Sequence, residues 1–340
     1  MKKTIFLLAV ISSLITLNAQ RVALHSSLGV QYFWGTTGLS SAYNAANAGD
    51  TIYLPGGTFT TPISFGKSLF IFGAGHYVDS SLVTGKTFIN GNVVLKEDAD
   101  GFYMEGLEVT GKISFANNES VNNVVIKRCK INAEVEILGD LSNPSQNIAF
   151  IGNVLVGGVN LNNAQVVLVS NNIIQTGLEG TNGNIINNNV FLNRFGNGYY
   201  ENFRGNNNKL SNNIIVLCGS YGITTNVHFG NDYRNNLITC ATPGYGASPT
   251  LISNYTNVDQ ASIFVDQSGH SFDYAHSYHL QNPETYLGTD GTEIGIYGGN
   301  FPYKEGAVPS NPHFQLNNIA PTTDGNGDLN IQIQVEAQED

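Results

Sequence analysis

VVLVSNNII (166–174) and GNIINNNVF (183–191) are two copies of a short pattern that decides the fold of this chain. The pattern also occurs as FYMEGLEVT (102–110), VVIKRCKIN (124–132), IAFIGNVLV (148–156), NKLSNNIIV (208–216) and NDYRNNLIT (231–239). Aligning the copies gives one column made of Leu107, Cys129, Asn153, Asn172, Asn189, Asn213 and Asn236, at intervals of 22, 24, 19, 17, 24 and 23 residues. Such regular self-similarity indicates a repeat architecture.

The columns on either side of the asparagine predict the structure of each copy. Three residues before it, all copies are apolar: Met104, Ile126, Phe150, Val169, Ile186, Leu210 and Tyr233. Two residues after it they are apolar again: Val109, Ile131, Leu155, Ile174, Phe191, Ile215 and Ile238. The residue just before it is Gly or Asn in six copies of seven, and these residues tolerate a left-handed backbone. Each copy is therefore predicted to be a strand, a tight left-handed turn and a second strand.

A repeat of about 22 residues suits one coil of a stack in which each strand pairs in parallel with its counterpart in the next coil. The asparagines would point inward and hydrogen-bond from coil to coil. On these residues the chain resembles the right-handed parallel β-helix of the pectin-lyase-like superfamily, from roughly Ser41 to Gly299. The resemblance implies an all-β solenoid with a short N-terminal capping helix and a C-terminal β cap.

The two ends of the predicted stack carry different signals. Leu39, Ala42, Tyr43 and Ala46 fall on one helical face, with Ser40 or Ser41 as the expected cap and Gly49 as the expected end. A strand follows at 51–54, and AGDTIYLPGGTF resembles the entrance segment of pectin-lyase-like proteins. YHLQNPETYLGTDGTEIGIYGG (278–299) resembles their closing segment, and the tail from Phe314 predicts two strands around a Gly-rich turn.

We divide the chain into four regions from these signals. MKKTIFLLAVISSLITLNAQ reads as a cleavable secretory signal, whose apolar run is too short for a stable membrane anchor. The predicted regions are a signal peptide (1–19), an N-terminal cap (20–60), a parallel β-helix (61–282), and a closing coil with a C-terminal strand pair (283–340). The predicted localisation is therefore secreted or periplasmic.

The net charge of the chain argues against one class of binding partner. Without the predicted signal the chain has 26 acidic and 13 basic residues, a formal charge of −13, which argues against nucleic acid as a partner. Glu105 and Lys127 share one outward column, and Glu108 and Lys130 share another. We therefore expect exposed ion pairs between successive coils that contribute little to the stability of the fold.

Two further features concern packing. Cys218 and Cys240 are 22 residues apart, one coil, but occupy different columns, so buried thiols are favoured over a disulfide. From 141 to 178 there is no charged residue, and five predicted outward positions in the band 149–173 are apolar: Ala149, Ile151, Val154, Leu168 and Ile173. Such a band is either covered by a loop or is a contact for another protein.

The loop between Asn189 and Asn213 holds the densest mixture of aromatic and charged residues in the repeats. Aromatic rings stack on the CH faces of sugars, while Arg and Glu hold hydroxyls or carboxylates. The alternative interpretation, a loop that packs its own tyrosines on the apolar band, carries equal weight. With two residues from the following coils, the candidate glycan-binding residues are Arg194, Tyr199, Tyr200, Glu201, Arg204, Asp232 and Arg234.

A metal site is not predicted. His270, His276 and His279 lie in an irregular segment with Asp266 and Asp273 between them, where histidines more often make ordinary hydrogen bonds. No cofactor is expected, and calcium is expected only if the protein is a lyase-like enzyme.

Three functions remain compatible with the sequence. The preferred hypothesis is a secreted β-helix that binds polysaccharide without catalysis, because the sequence lacks the Asp-Asp signature of polygalacturonase-type hydrolases. The alternatives are a polysaccharide lyase-like enzyme acting on an acidic glycan through the 194–234 region, and a structural or adhesive surface protein.

Overall fold

The structure is a computed structural model that describes residues 20–193, 201–218, 222–305, 310 and 312–337. Within these residues there is one α-helix, α1 (Gly38–Ala45), and two single-turn 3-10 helices, Asp79–Ser81 and Gln260–Ser262. The strands of the first half are β1 (Arg21–Ser26), β2 (Gly29–Trp34), β3 (Thr51–Tyr53), β4 (Gly57–Thr60), β5 (Phe70–Phe72), β6 (Thr87–Asn90), β7 (Val93–Leu95), β8 (Tyr103–Glu105), β9 (Glu108–Val109), β10 (Ile113–Phe115), β11 (Val125–Lys127), β12 (Lys130–Ile131), β13 (Val135–Ile137), β14 (Ser145–Ile151), β15 (Val154–Leu155) and β16 (Val159–Ser170). Those of the second half are β17 (Ile173–Ile174), β18 (Leu178–Asn182), β19 (Ile185–Asn187), β20 (Val190–Phe191), β21 (Phe203–Asn206), β22 (Lys209–Ser211), β23 (Ile214–Ile215), β24 (Thr224–Phe229), β25 (Asp232–Arg234), β26 (Leu237–Ile238), β27 (Tyr245–Ala247), β28 (Thr250–Ile252), β29 (Phe264–Asp266), β30 (Ser277–Leu280), β31 (His313–Ile319) and β32 (Ile331–Glu336).

The strands form a parallel β-solenoid of about nine turns, as the repeats predicted. Sheet I runs β3-β5-β8-β11-β14-β16-β19-β22-β25-β28, with every pair parallel. Sheet II runs β4-β6-β9-β12-β15-β17-β20-β23-β26. Sheet III runs β7-β10-β13-β16-β18-β21, and the long strand β16 joins it to sheet I.

The asparagine ladder is confirmed. The backbone N–H and the side-chain amide of Asn153 both donate to Oδ1 of Asn172, at 2.8 and 2.9 Å. The same paired bonds, all of 2.9–3.0 Å, continue through the later coils, and Asn254 adds one more step at the end. Both apolar columns predicted around it are fully or almost fully buried. The ladder therefore satisfies the polar groups at one corner of an otherwise apolar interior.

The turns before the ladder have the predicted left-handed backbone. The residues there have φ between 48° and 75°: Gly106, Arg128, Gly152, Asn171, Asn188, Asn212 and Asn235. A second, shorter ladder was not predicted. Asn184 N donates to Asn208 Oδ1 at 2.9 Å, and Asn208 N donates to Asn231 Oδ1 at 3.0 Å, across the bend that precedes sheet I.

The first coil is built as the sequence predicted, apart from the helix cap. Helix α1 buries Leu39 and Ala42 in the main core and packs against β1 to β4. It begins at Gly38 after Thr37, whose side chain makes no capping hydrogen bond, and it ends at Ala45, four residues before the predicted end at Gly49. The expectation that a serine at 40 or 41 caps the helix is wrong, because both serines lie inside it. The tail forms the predicted pair of antiparallel strands, β31 and β32.

Residues 255–305, here called the cover segment, lie along the outer face of sheet II. The first residue of each later sheet II strand points away from the main core and joins a second apolar cluster with the cover segment: Val154, Ile173, Val190, Ile214 and Leu237 against Ile263, Phe264, Tyr278, Leu280, Ile294 and Ile296. Val154 and Ile173, two members of the predicted apolar band, are thus covered by the chain itself. Ala149, Ile151 and Leu168 are half-buried, and a protein contact there stays a prediction.

Turn asparagines fasten the cover segment with hydrogen bonds. Asn171 Nδ2 donates to Ile296 O at 2.8 Å and to Gly298 O at 2.7 Å. Asn212 Oδ1 accepts from Thr289 N at 2.9 Å, and Asn235 Nδ2 donates to Leu287 O at 3.0 Å. The left-handed turns therefore do more than reverse the chain, since their side chains form the docking strip for the cover segment.

The prediction that the Glu105 and Glu108 charge pairs are exposed is wrong. Glu105 is fully buried, and its carboxylate accepts from Arg128 at 3.1 Å and from the Tyr103 hydroxyl at 2.5 Å. Glu108 is also buried, with Lys130 at 3.3 Å, as the shared column predicted, and Lys86 at 2.7 Å. Residues from much later in the chain lie beside both groups: Ser310 N donates to Glu105 Oε1 at 3.2 Å, and the Tyr274 ring lies 5.1 Å from Nζ of Lys130, the partner of Glu108.

The preference for free thiols at Cys218 and Cys240 is wrong as well. The two residues form a disulfide, with their Cα atoms 5.9 Å apart. Their different offsets from the ladder are absorbed by the bends that follow sheet II, which bring the two positions together. The third cysteine, Cys129, is free and buried, and burial raises the pKa of its thiol to about 12.

Candidate functional site

An aromatic cleft of about 420 Å³ lies between the solenoid and the cover segment. The solenoid side consists of His76 and Tyr77, from the loop after β5, and of Ile173 on sheet II. The cover segment contributes the loop 272–279 and, further along, Tyr297, Tyr303 and Glu305. The cleft is thus formed by parts of the chain about 200 residues apart, which meet only after the cover segment has docked.

The loop 272–279 is held by local and by long-range hydrogen bonds. Phe272 N donates to the side chain of Gln175 at 2.9 Å, which ties the loop to the solenoid. Asp273 closes a tight turn, since its Oδ1 accepts from Ala275 N at 2.9 Å and its backbone oxygen accepts from His276 N at 3.2 Å. Aspartate commonly fixes turns in this way. The aromatic residues on both sides of Asp273 are therefore positioned before any ligand arrives.

His76 and Tyr274 form the floor contact of the cleft. The Tyr274 hydroxyl lies 2.8 Å from His76 Nδ1 and 3.1 Å from His76 O. Burial lowers the pKa of the His76 ring to about 3, so the ring is neutral at physiological pH. Its Nε2 atom is buried without a hydrogen-bond partner among the described residues. The His76 ring is therefore a neutral part of the cleft lining, and it does not act as a cation at neutral pH.

Aromatic rings make up most of the cleft wall. Tyr77 stacks on Tyr274 with the ring centres 4.7 Å apart, and Phe272 meets Tyr274 edge-on at the same distance. At the other end, His279 lies parallel to Tyr297 at 3.8 Å. Tyr77, Phe272, Tyr274 and Tyr297 keep part of their surface exposed. Rings of this kind offer flat apolar faces with polar edges, which suits a ligand that is apolar on one side and hydroxylated on the other.

Two carboxylates border these rings. Glu305 accepts a hydrogen bond from the Tyr297 hydroxyl at 3.0 Å and lies 3.1 Å from His279 Nε2. Its side chain is 66% exposed, so it stands at the mouth of the cleft. Asp273 is exposed at the opposite loop. Burial and then the neighbouring Glu305 raise the pKa of Tyr297, which keeps its hydroxyl protonated and available as a donor.

The structure places Glu201 and Arg204, two of the predicted site residues, in a network that joins successive coils. Arg204 donates to Glu201 at 3.0 Å and to Glu179 at 3.3 Å, and Glu201 accepts from Thr225 N at 2.9 Å. Glu201 is buried, and the Arg204 side chain is only 15% exposed. Both charged groups are therefore used between strands β18, β21 and β24.

Asp232 and Arg234 lie in a different, shallow pocket of about 280 Å³, shared with Lys209 and Thr289. Arg234 Nε is 2.9 Å from both carboxylate oxygens of Asp232, and this hydrogen bonding raises the pKa of the guanidinium. Neither Glu201 nor Arg204 lines this pocket. The other three predicted residues, Arg194, Tyr199 and Tyr200, lie outside the described residues.

The histidines that were candidates for metal ligands take part in aromatic and polar contacts. His276 meets Tyr278 edge-on, and His279 stacks on Tyr297. In the part of the chain that the structure describes, no three His, Cys, Asp or Glu side chains are grouped so that they could hold a metal ion. The helix found in that same part is too short to cross a lipid bilayer.

Sequence reasoning missed the cleft, although a signal was present. The predicted closing segment and the residues on either side of it are rich in aromatic residues: Phe272, Tyr274, Tyr278, Tyr286, Tyr297 and Tyr303. From the sequence we predict ordinary hydrogen bonds for the histidines of this stretch and assign the tyrosines no role. Nothing in the linear sequence indicated that His76 and Tyr77 would complete the site.

Comparison with family models, with curated proteins and with solved structures gave no match to this chain. Its fold and its site therefore rest on the residues and contacts described above.

Proposed function

We propose that this protein binds polysaccharide, with the aromatic cleft as its binding site. The observation that supports the proposal is the combination of a 420 Å³ cleft, several partly exposed aromatic rings and two carboxylates at its border. Pockets of this size with aromatic walls and few polar groups are typical of ligand sites. The proposal keeps the function predicted from the sequence and moves the site from the 194–234 region to the cover segment.

The geometry supports sugar as the ligand class. Tyr77 stacks on Tyr274 and Tyr297 stacks on His279, and the part of each tyrosine ring that stays exposed can receive the CH side of a pyranose. Glu305 and Asp273 can accept hydrogen bonds from hydroxyls at the rim. An extended chain of sugar units would use both ring faces at once, whereas a monosaccharide would use one.

The wider biological setting belongs to the same proposal. A secreted or periplasmic location is supported by the leader-like sequence MKKTIFLLAV, and the disulfide Cys218–Cys240 is compatible with it. A relation to the pectin-lyase-like superfamily is supported by the parallel solenoid and its asparagine ladder. Binding without catalysis is the form of the function that we favour.

A lyase-like activity at the predicted 194–234 region has weaker support. The reaction needs a base that can give up its proton, and Arg234 is held by both oxygens of Asp232 with its pKa raised. An arginine in this state is a permanent cation. Release of unsaturated sugars from an acidic polysaccharide, lost on Arg234→Ala, would show that this argument is wrong.

The test of the proposed function is a glycan array followed by calorimetric titration of the best ligand. The double variant Tyr77→Ala/Tyr297→Ala should weaken binding by at least about tenfold, because each ring contributes roughly 1 kcal/mol of contact energy. The matched control is Tyr32→Ala, a partly exposed tyrosine on the edge strand β2 and outside the cleft lining. Undiminished binding by the double variant, with unchanged melting, would exclude the cleft as the site.

A further inference from the structure

We infer that the cleft selects sugars with a free amine, such as a glucosamine oligomer, over neutral and acidic sugars. The inference rests on the proposed function and specifies its ligand. It follows from the described lining residues, where two carboxylates occur without a lysine or arginine, and from the position of one carboxylate beside an aromatic pair.

The lining of the cleft carries negative charge. Asp273 and Glu305 contribute carboxylates, and among the described lining residues there is no lysine or arginine. Lys304, the neighbour of Glu305 in sequence, lines a separate pocket with Lys127 and Arg128. A uronic acid in this cleft would meet carboxylates without a cation of the lining to balance its charge, so an acidic glycan is disfavoured.

The nearest lysines are already engaged below the cleft. Lys86 and Lys130 both pair with the buried Glu108, at 2.7 and 3.3 Å. Lys130 Nζ also lies 5.1 Å from the centre of the Tyr274 ring, in a cation–π contact. These two cations stand outside the lining and are bound to Glu108 and Tyr274, so they do not offer a free site for an anionic sugar.

The arrangement at the mouth of the cleft suits an ammonium group. Glu305 is oriented by the Tyr297 hydroxyl and by His279, so its carboxylate is held in one position beside the edge of the Tyr297 ring. A carboxylate held in this position can accept a charge-assisted hydrogen bond from an ammonium group. A sugar amine can donate this bond while the CH face of the sugar stacks on the wall of the cleft.

The experiment compares three oligosaccharides of equal length by calorimetric titration of the full chain: glucosamine, N-acetylglucosamine and galacturonate oligomers. We expect the amine-bearing ligand to bind about three- to tenfold more tightly than its acetylated form, a range typical of one charge-assisted contact at a partly exposed site. The galacturonate oligomer should bind most weakly.

Glu305→Gln should bring the amine-bearing ligand to the affinity of the acetylated one, and should change binding of the acetylated ligand less than about twofold. The matched control is Glu284→Gln, an exposed carboxylate of the cover segment that does not line the cleft. Equal binding of the amine and acetylated ligands, or a preference that survives Glu305→Gln, would overturn the inference while the proposed function stands. Absence of binding to all three ligands and across the glycan array would refute the proposed function itself.

Discussion

Replacing Asn189 with leucine tests the asparagine ladder at its centre. In the structure Asn189 Oδ1 accepts from the backbone N–H of Asn172 at 2.9 Å and from its side-chain amide at 3.0 Å. The Asn189 amide donates to Asn213 Oδ1 at 3.0 Å and to Val169 O at 2.8 Å. The amide also donates to Asn187 O at 3.0 Å, and leucine removes all five bonds at a buried position.

The expected loss of stability depends on which buried polar groups keep a hydrogen-bond partner in the variant. Asn213 Oδ1 still accepts from the backbone N–H of residue 189, at 3.0 Å. The Asn172 side chain retains Phe150 O at 2.8 Å. The buried N–H of Asn172 loses its acceptor, at a cost of about 1–3 kcal/mol, and the carbonyls of Val169 and Asn187 each lose one hydrogen bond. We therefore expect Asn189→Leu to lower the free energy of unfolding by about 2–5 kcal/mol.

The measurement is urea denaturation followed by circular dichroism, which reports the whole stack, and by fluorescence of Trp34 in the first coil. Coincident transitions establish that the solenoid unfolds as one unit and that a single free energy is defined. The control is the exposed Asn162→Leu, which should stay within about 0.5 kcal/mol of the wild type. A change of that small size for Asn189→Leu would refute the idea that the ladder stabilises the fold.

The remaining predictions concern the disulfide, the buried carboxylates and the cover segment. Cys218→Ala/Cys240→Ala should lower the free energy of unfolding by about 3 kcal/mol in the same urea assay, because the bond closes a loop of 22 residues, and thiol titration of the unfolded wild type should find one thiol. Burial alone would raise the pKa of Glu108, but its hydrogen bonds and the nearby lysines outweigh burial, so the pKa of the folded state is lowered. The ionised Glu108 therefore stabilises the fold above the unfolded pKa of about 4.3, and this stabilisation is lost as pH falls through the folded pKa. Glu108→Gln should flatten the curve of stability against pH in that range, and an unchanged curve would contradict this. Glu105→Gln removes the charge of the buried carboxylate that accepts from Arg128 and should cost more than about 1 kcal/mol, measured by thermal melting. Ile173→Ala should expose the cover segment to limited proteolysis before the solenoid is cut, and simultaneous cleavage of both would argue against separate docking.

The repeats could be predicted from sequence because they obey a local rule. Each copy places apolar residues at the same offsets from a Gly or Asn turn, so the parallel pairing and the buried ladder follow without knowledge of distant residues. The left-handed turn at Arg128 shows how strong the pattern is, since an arginine takes φ 50° where the other coils have glycine or asparagine.

What could not be predicted depends on contacts between distant parts of the chain. Within a coil, the positions of Glu105 and Val154 point outward, so their burial follows from residues that lie far away in sequence. Ser310 N, for example, donates to Glu105 Oε1 at 3.2 Å across 205 residues. The cleft needs the same kind of information, because His76 and Tyr274 are ordinary residues until the cover segment brings them together.

The docking strip of turn asparagines sets a limit on the length of this protein. Asn171, Asn188, Asn212 and Asn235 belong to four successive coils, and they contact the cover segment in reverse order along its sequence, from Ile296 back to Leu287. The spacing of those contacts is therefore matched to the rise of the stack, about 4.8 Å per coil. Inserting one coil among them would shift every later contact by that distance, and deleting one would do the same in the other direction. A bare solenoid can grow or shrink by whole repeats, but this one can change length here only if the cover segment changes by the same step.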